Sequence, residues 1–80
     1  MSSIDNIDWR DVVKKEARGL GDDELGEVQE ARENDVITKV GLIDKETYCI
    51  PKNLVARYDG HNLWFKISKD EATSQYKIAD

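Results

Sequence analysis

Apolar and polar residues alternate along much of this chain, and short polar turns separate the alternating segments. The clearest alternation is at residues 63–67. One face of this segment carries three apolar side chains: Leu63, Phe65 and Ile67. The other face carries Trp64 and Lys66. An Asp-Gly pair at residues 59–60 accepts the positive φ angles of a tight turn, so the pattern predicts a hairpin that ends in this segment.

Further segments have the composition of short strands bounded by turn residues. The predicted strands lie at residues 15–18, 25–31, 36–43, 47–50 and 53–58. Gly26, inside the second of them, indicates a bulge or the close approach of another backbone. Turns are predicted at Asn34-Asp35 and at residues 44–46, and Pro51 ends the fourth strand because proline has no amide hydrogen.

Capping signals stand near both ends of the chain. Asp8 and Asp11 form a weak capping pair, which predicts a helical turn through Val12. Ser68 followed by Glu71 is a stronger capping box and predicts a short helix over residues 69–77. The inner face of that helix would carry two residues: Ala72 and Tyr76.

These elements predict a mainly β fold with little helix. Five or six short antiparallel strands joined by tight turns favour a small β-barrel or a tightly curled sheet over a sandwich, because the chain is too short for two sheets. Residues 1–11 would be an N-terminal tail or helical turn, residues 12–67 the barrel, and residues 68–80 a short C-terminal helix and tail.

Length and composition narrow the class of protein. Eighty residues allow one compact core, and a domain of this size is often stabilised by disulfides, metals or self-association. The single cysteine, Cys49, excludes an internal disulfide, and the single histidine, His61, leaves no Cys/His zinc set. Self-association, most simply as a homodimer, is therefore the expected source of extra stability.

Charge and hydropathy bear on location and partners. The chain has 12 basic and 17 acidic residues, and its net charge of -5 opposes non-specific binding to nucleic acid. The first residues show no basic and apolar leader, and no apolar run approaches the ~18 residues of a membrane span. The expectation is a cytoplasmic protein that does not insert into a membrane and whose partners are other proteins.

The residues that could carry chemistry do not form a catalytic pattern. Cys49 and His61 lack a third orienting group and an oxyanion site, so we expect no enzyme activity. Cys49 alternates with apolar neighbours and is expected to be a buried or half-buried thiol, and His61 a solvated turn residue. The acidic run at residues 22–24 lacks the spacing of a calcium loop, which favours a solvated turn. No cofactor or metal is predicted.

Trp64 is the main candidate for binding a partner protein. If its apolar neighbours fill the core, Trp64 points outward, and an exposed tryptophan is a typical hot spot. The alternative is that the C-terminal helix or the segment around Trp9 covers it. The predicted protein-binding set adds three residues to Trp64: Tyr58, Lys66 and Tyr48.

A second class of function stays open. Lys14, Lys15 and four scattered cations could together form a basic face for RNA, as some small barrels do. Those four are Arg32, Lys39, Arg57 and Lys66. Phosphate-binding glycine loops and the aromatic motifs of RNA-recognition domains are missing, so the RNA alternative ranks below protein binding.

The sequence resembles a stand-alone PRC-barrel domain of the short archaeal type over residues 12–72. The resemblance rests on Ala-Arg-Gly at residues 17–19, Leu-Gly-Glu-Val at 25–28, Tyr-Cys-Ile-Pro-Lys-Asn-Leu-Val at 48–55 and Tyr-Asp-Gly-His-Asn-Leu-Trp-Phe at 58–65. Members of that family are six-stranded barrels that act as adaptors in electron-transfer complexes, ribosome-maturation factors and archaeal cell-division proteins. The short members often self-associate, and the family has no shared catalytic residue.

The resemblance implies a non-catalytic adaptor that self-associates and docks onto a larger assembly, such as cell-division or membrane-associated machinery. The alternative that it also implies is an RNA- or ribosome-associated maturation factor. The net charge of -5 favours the adaptor.

Overall fold

The computed structural model describes residues 7–41 and 45–78, which form seven strands and one short helix. In chain order the strands are β1 (Glu16–Arg18), β2 (Glu24–Ala31), β3 (Asp35–Val40), β4 (Glu46–Pro51), β5 (Val55–Tyr58), β6 (Asn62–Phe65) and β7 (Lys77–Ile78). The helix α1 (Lys69–Gln75) precedes β7, and two 3-10 turns span Leu20–Asp22 and Lys52–Leu54. The predicted strand end at Leu42 and Ile43 and the turn residue Asp44 lie outside the described residues.

The strands form one sheet in the order β5-β6-β1-β2-β3-β4-β7. The mainly β class with a short C-terminal helix is confirmed. The predicted closed barrel of five or six antiparallel strands is wrong, because the described residues form one unclosed sheet of seven strands with β5 and β7 at its edges. β1 also pairs with β6 in parallel, with Ala17 opposite Leu63, whereas the other neighbours are antiparallel.

Gly26 lies where the sheet bends. The register between β1 and β2 shifts between Ala17 and Arg18, opposite Gly26 and Glu24. Gly26 has φ +98°, and a Cβ at this position would lie 2.4 Å from the carbonyl oxygen of Lys39. Both features that the sequence indicated for Gly26, a bulge and a close backbone approach, are therefore confirmed.

The hydrophobic core is built from residues of the sheet, of helix α1 and of the segments that flank them. The buried apolar residues are Val12, Ala17, Leu25, Val28, Val36, Tyr48, Ile50, Val55, Leu63, Phe65, Ile67 and Ala72. Every strand from β1 to β6 contributes at least one of them, and α1 covers part of the core with Ala72. The predicted inward face of the last hairpin is confirmed, because all three of its apolar residues are buried.

The segment before β1 is part of this packed unit. The predicted turn forms, since the Asp11 amide donates to the carbonyl of Asp8 at 2.9 Å, but no helix follows it. Instead the chain runs beside β2. The Lys14 amide donates to the Val28 carbonyl at 2.7 Å, and the Val28 amide donates to the Lys15 carbonyl at 2.8 Å. Backbone pairing to β2 satisfies these amides without a helix.

Helix α1 begins as predicted and ends earlier. The Glu71 amide donates to Ser68 Oγ at 3.2 Å, and the Lys69 amide donates to Asp23 Oδ2 at 3.0 Å, so both side chains satisfy the free amides of the first turn. Ala72 is buried and Tyr76 packs against the core, as expected of the inner face. The helix stops at Gln75 because residues 77 and 78 pair with β4 instead.

Thr38 is a polar residue in the middle of this core. Its side chain is fully buried, and its Oγ1 has no hydrogen-bond partner among the described residues. Val has nearly the same shape and no hydroxyl to desolvate, so we expect Thr38→Val to raise the free energy of unfolding by about 1 kcal/mol. Urea denaturation followed by circular dichroism measures this. Thr38→Ser, which keeps the hydroxyl and loses the methyl group, should lower stability, and a loss of stability in Thr38→Val would contradict the prediction.

Candidate functional site

The β5–β6 hairpin places Trp64 and Arg57 side by side. Arg57 pairs with Trp64 across the two strands, and Tyr58 pairs with Leu63. The register shifts between Val55 and Arg57, so that Val55 and Tyr58 face the core side while Arg57 shares the outer face with Trp64. The sequence left open whether Trp64 is exposed or covered, and the structure shows a partly exposed side chain between buried neighbours in the chain.

Three residues form one connected group on this outer face, which we call the Trp64 cluster: Arg57, Asp59 and Trp64. The indole Nε1 of Trp64 donates to Asp59 Oδ2 at 3.0 Å. The guanidinium carbon of Arg57 lies 4.7 Å from the centroid of the Trp64 ring, and Arg57 Nη1 lies 3.7 Å from Asp59 Oδ2. A cation over one ring face and an acceptor at the ring nitrogen hold the indole in one orientation.

Asp59 joins the cluster to the turn of the hairpin. Its Oδ1 accepts from the amides of His61 at 2.8 Å and Asn62 at 2.7 Å. The hydrogen bond from Trp64, followed by those from Asn62 and His61, holds the pKa of Asp59 well below its usual range. Asp59 was predicted to act in the turn, and the structure confirms this role and adds a contact to Trp64.

The low pKa of Asp59 predicts how acid affects stability. Folding lowers this pKa below its ordinary value of 3.8, so the stabilisation is complete above that pH and is lost as the pH falls toward the folded pKa. Asp59→Asn removes the charge and keeps an acceptor. The difference in the free energy of unfolding between wild type and Asp59→Asn should therefore shrink between pH 5 and pH 2, roughly the range over which an ordinary carboxyl protonates. Urea titrations at several pH values measure it, and a constant difference would contradict the assignment.

Neighbouring side chains complete the outer face. Arg18 on β1 lies in register with Trp64, and its guanidinium pairs with Glu16 at 2.7 Å and lies 3.9 Å from Asp22. Lys66 is exposed, two residues beyond Trp64 in the chain. The positive charge of Arg18 is therefore paired with carboxylates of the protein itself.

Two of the four predicted binding residues are not on this surface. Tyr58 is partly buried, and its hydroxyl donates to Asp11 Oδ2 at 2.5 Å, so it ties the N-terminal segment to the hairpin. Burial, and then the Asp11 contact, raise the pKa of Tyr58 to about 12. Tyr48 is fully buried, and its hydroxyl donates to Glu46 at 2.6 Å. Its place in the core leaves Tyr48 no surface for a partner, which corrects the sequence-based assignment.

The segment around Trp9 and helix α1 are the two elements that were considered as covers for Trp64, and both make contacts elsewhere. Trp9 packs against the core, and Lys52 Nζ lies 4.2 Å from the centroid of its ring. Helix α1 packs against β2, β4 and β7. Trp64 itself is partly exposed.

No protein-family model matches the chain, and neither a curated protein nor a solved structure does. The resemblance to PRC-barrel domains therefore stays a prediction, and the assignment of function depends on the geometry of the chain itself.

The cysteine lies in a charged setting. Cys49 is half-buried, as expected, and Arg32 Nη2 donates to its Sγ at 3.4 Å. Burial is the main cause that raises the pKa of the thiol, and the nearby Asp35 carboxylate raises it further. A thiol with a raised pKa is protonated at neutral pH and is a weak nucleophile.

The remaining candidates are turn residues. His61 is exposed, as expected. Asp23 is half-buried rather than simply solvated, and it accepts from the first amide of α1. Within residues 7–41 and 45–78, no three His, Cys, Asp or Glu side chains are placed to hold a metal ion. Over the same residues, no helix is long and apolar enough to cross a membrane.

Trp64 was predictable as a candidate from the strand pattern, but the side chains that hold it were not. Arg57 was assigned to a scattered basic face, and Asp59 to the turn alone. A local signal for this cluster was present, because both residues lie within seven positions of Trp64 across a predicted hairpin. The bulge at Ala56 hid it, since strict alternation would have placed Arg57 on the face of Val55.

Proposed function

We propose that this protein is a non-catalytic adaptor that binds other proteins through the outer face of the β5–β6 hairpin. The observation that carries the proposal is Trp64, which is partly exposed and yet held by Asp59 and Arg57. A fixed aromatic side chain loses little conformational entropy on binding and buries a large apolar area, as hot-spot residues do.

The larger setting of this adaptor is also part of the proposal. The resemblance to PRC-barrel domains supports self-association and docking onto an assembly such as cell-division or membrane-associated machinery. The small size of the domain supports self-association independently, because 80 residues bury a modest core. Cytoplasmic location belongs to the same proposal.

Trp64→Ala tests the binding surface. We expect partners captured from native cells by the wild-type protein to bind the variant about 30-fold more weakly or worse, because truncating a tryptophan hot spot costs about 2 kcal/mol or more. Affinity for a captured and purified partner is measured by calorimetry. Ile78→Ala is the matched control, since Ile78 is 40% exposed on the edge strand β7 at the other end of the sheet.

Three results would count against the proposal. Unchanged partner affinity in a folded Trp64→Ala protein would remove the binding surface, and circular dichroism establishes that the variant is folded. Partners that disappear after nuclease treatment would favour the RNA-associated alternative. Light scattering of the purified wild type across concentration tests self-association, and a monomer at hundreds of micromolar would remove that part.

A further inference from the structure

Among the residues that the structure describes, none accepts a hydrogen bond from the Arg57 guanidinium. Its side chain is 57% exposed, and the nearest carboxylate oxygen in its ion pair, Asp59 Oδ2, lies 3.7 Å from Nη1. That distance is longer than a direct hydrogen bond, whereas a guanidinium carries five N–H donors in a flat fork. The Arg57 guanidinium therefore lies over the Trp64 ring and is still able to form a bidentate pair with a carboxylate.

Asp59, in contrast, is already occupied. Its two oxygens accept three N–H donors: two backbone amides and the indole of Trp64. A carboxylate with three such donors competes weakly for the fork of Arg57. The indole nitrogen of Trp64 is also satisfied, so what this ring still offers a partner is apolar surface.

We infer that the Trp64 cluster recognises a single carboxylate that is followed by an apolar side chain, in a segment of a partner protein. The carboxylate binds the fork of Arg57 in a bidentate pair, and the apolar side chain packs on the exposed part of the Trp64 ring. This inference rests on the proposed function and names the chemistry of the partner.

The same group is poorly arranged for RNA. An RNA backbone needs several unpaired cations in a row, whereas Arg18, the next arginine on this face, is paired with Glu16. Arg57 covers one face of the Trp64 ring, which reduces the area on which a base could stack. The net charge of -5 repels a polyanion and tolerates a single carboxylate at this arginine.

Short labelled peptides test the inference by fluorescence anisotropy. One peptide carries a single glutamate followed by leucine in an otherwise neutral sequence, a second replaces that glutamate with glutamine, and a short oligouridine serves as the RNA probe. We expect wild type to bind the glutamate peptide about fivefold or more tighter than the glutamine peptide, with an advantage that decreases as salt is raised. Arg57→Gln should remove this advantage, and Arg57→Lys should retain part of it because it keeps the charge and loses the fork.

Arg10→Gln is the matched control, because it makes the same change in charge at an arginine that is 95% exposed outside the cluster. It should bind both peptides as wild type does. Equal affinity for the two peptides, discrimination that survives in Arg57→Gln, no detectable binding of the glutamate peptide, or preference for oligouridine would each overturn the inference.

The two proposals fail in different ways. If a native partner is lost by Trp64→Ala and retained at full affinity by a folded Arg57→Gln, the binding surface stands and the carboxylate inference is wrong. If the native partner is unaffected by Trp64→Ala, the proposed surface itself is wrong.

Discussion

Gly26→Ala is expected to lower the free energy of unfolding by about 3–5 kcal/mol, a large part of the stability of a small domain. Gly26 has φ +98°, where side chains are strained, and its new Cβ would lie 2.4 Å from the carbonyl oxygen of Lys39 and 2.6 Å from Val40 Cγ2. That carbonyl belongs to β3, which pairs with β2 at Glu27, so it cannot withdraw without disturbing the sheet. Urea denaturation measures the loss.

Two other glycines separate the causes of this effect. Gly60 has φ +94° and nothing within 4 Å of a new Cβ, so Gly60→Ala should show the backbone strain alone, about 1–2 kcal/mol. Gly19 has an ordinary φ of -111°, but its Cβ would lie 2.2 Å from the Ile67 carbonyl, so Gly19→Ala should show the clash alone. A Gly26→Ala loss no larger than that of Gly60→Ala would mean that the close contact with β3 relaxes.

Phe65→Ala should cost about 3–5 kcal/mol by leaving a cavity in the core. Phe65 is 2% exposed and pairs with Val55 across the last hairpin. Because domains of this size are marginally stable, a large fraction of the variant should be unfolded at 25 °C. Far-ultraviolet circular dichroism and the urea midpoint measure this.

Trp64→Ala is the comparison variant for Phe65→Ala, because the two residues are adjacent in the chain. It removes a larger side chain from the next position, on the opposite face of the same strand, where the ring is only partly buried. The cost should be clearly smaller than that of Phe65→Ala, since little of the core is lost. Equal costs at the two positions would show that Trp64 is a core residue and would weaken its role as a binding residue.

Local patterns were sufficient where neighbouring residues decide the structure. The last hairpin, the Ser68 cap of α1 and the special role of Gly26 were all predictable, because each depends on backbone preferences and hydrogen bonds over a few positions. The same alternation placed Trp64 on the face opposite the core, but whether another segment covers it was left open.

Other features depend on residues far apart in the chain. The parallel pair of β1 and β6 joins residues 16–18 to residues 62–64, and no local signal distinguishes it from other pairings. Strand β7 lies in a segment that reads as the end of a helix, and only the edge of β4 makes it a strand. Tyrosine is found both on protein surfaces and in cores, so its type does not decide where Tyr48 lies. The packing of the fold buries it.

The pattern of residues was enough to predict the mainly β class, the positions of most turns, the inward face of the last hairpin and Trp64 as the residue to test. Packing between distant segments was needed to show that the sheet stays open, that the segment before β1 pairs with β2, and that Arg57 and Asp59 hold Trp64. The two groups of features differ in the range of the interactions that form them. Alternation and capping act over a few residues, whereas strand order, edge pairing and a bulge in the register are decided by contacts between segments that the chain does not place side by side.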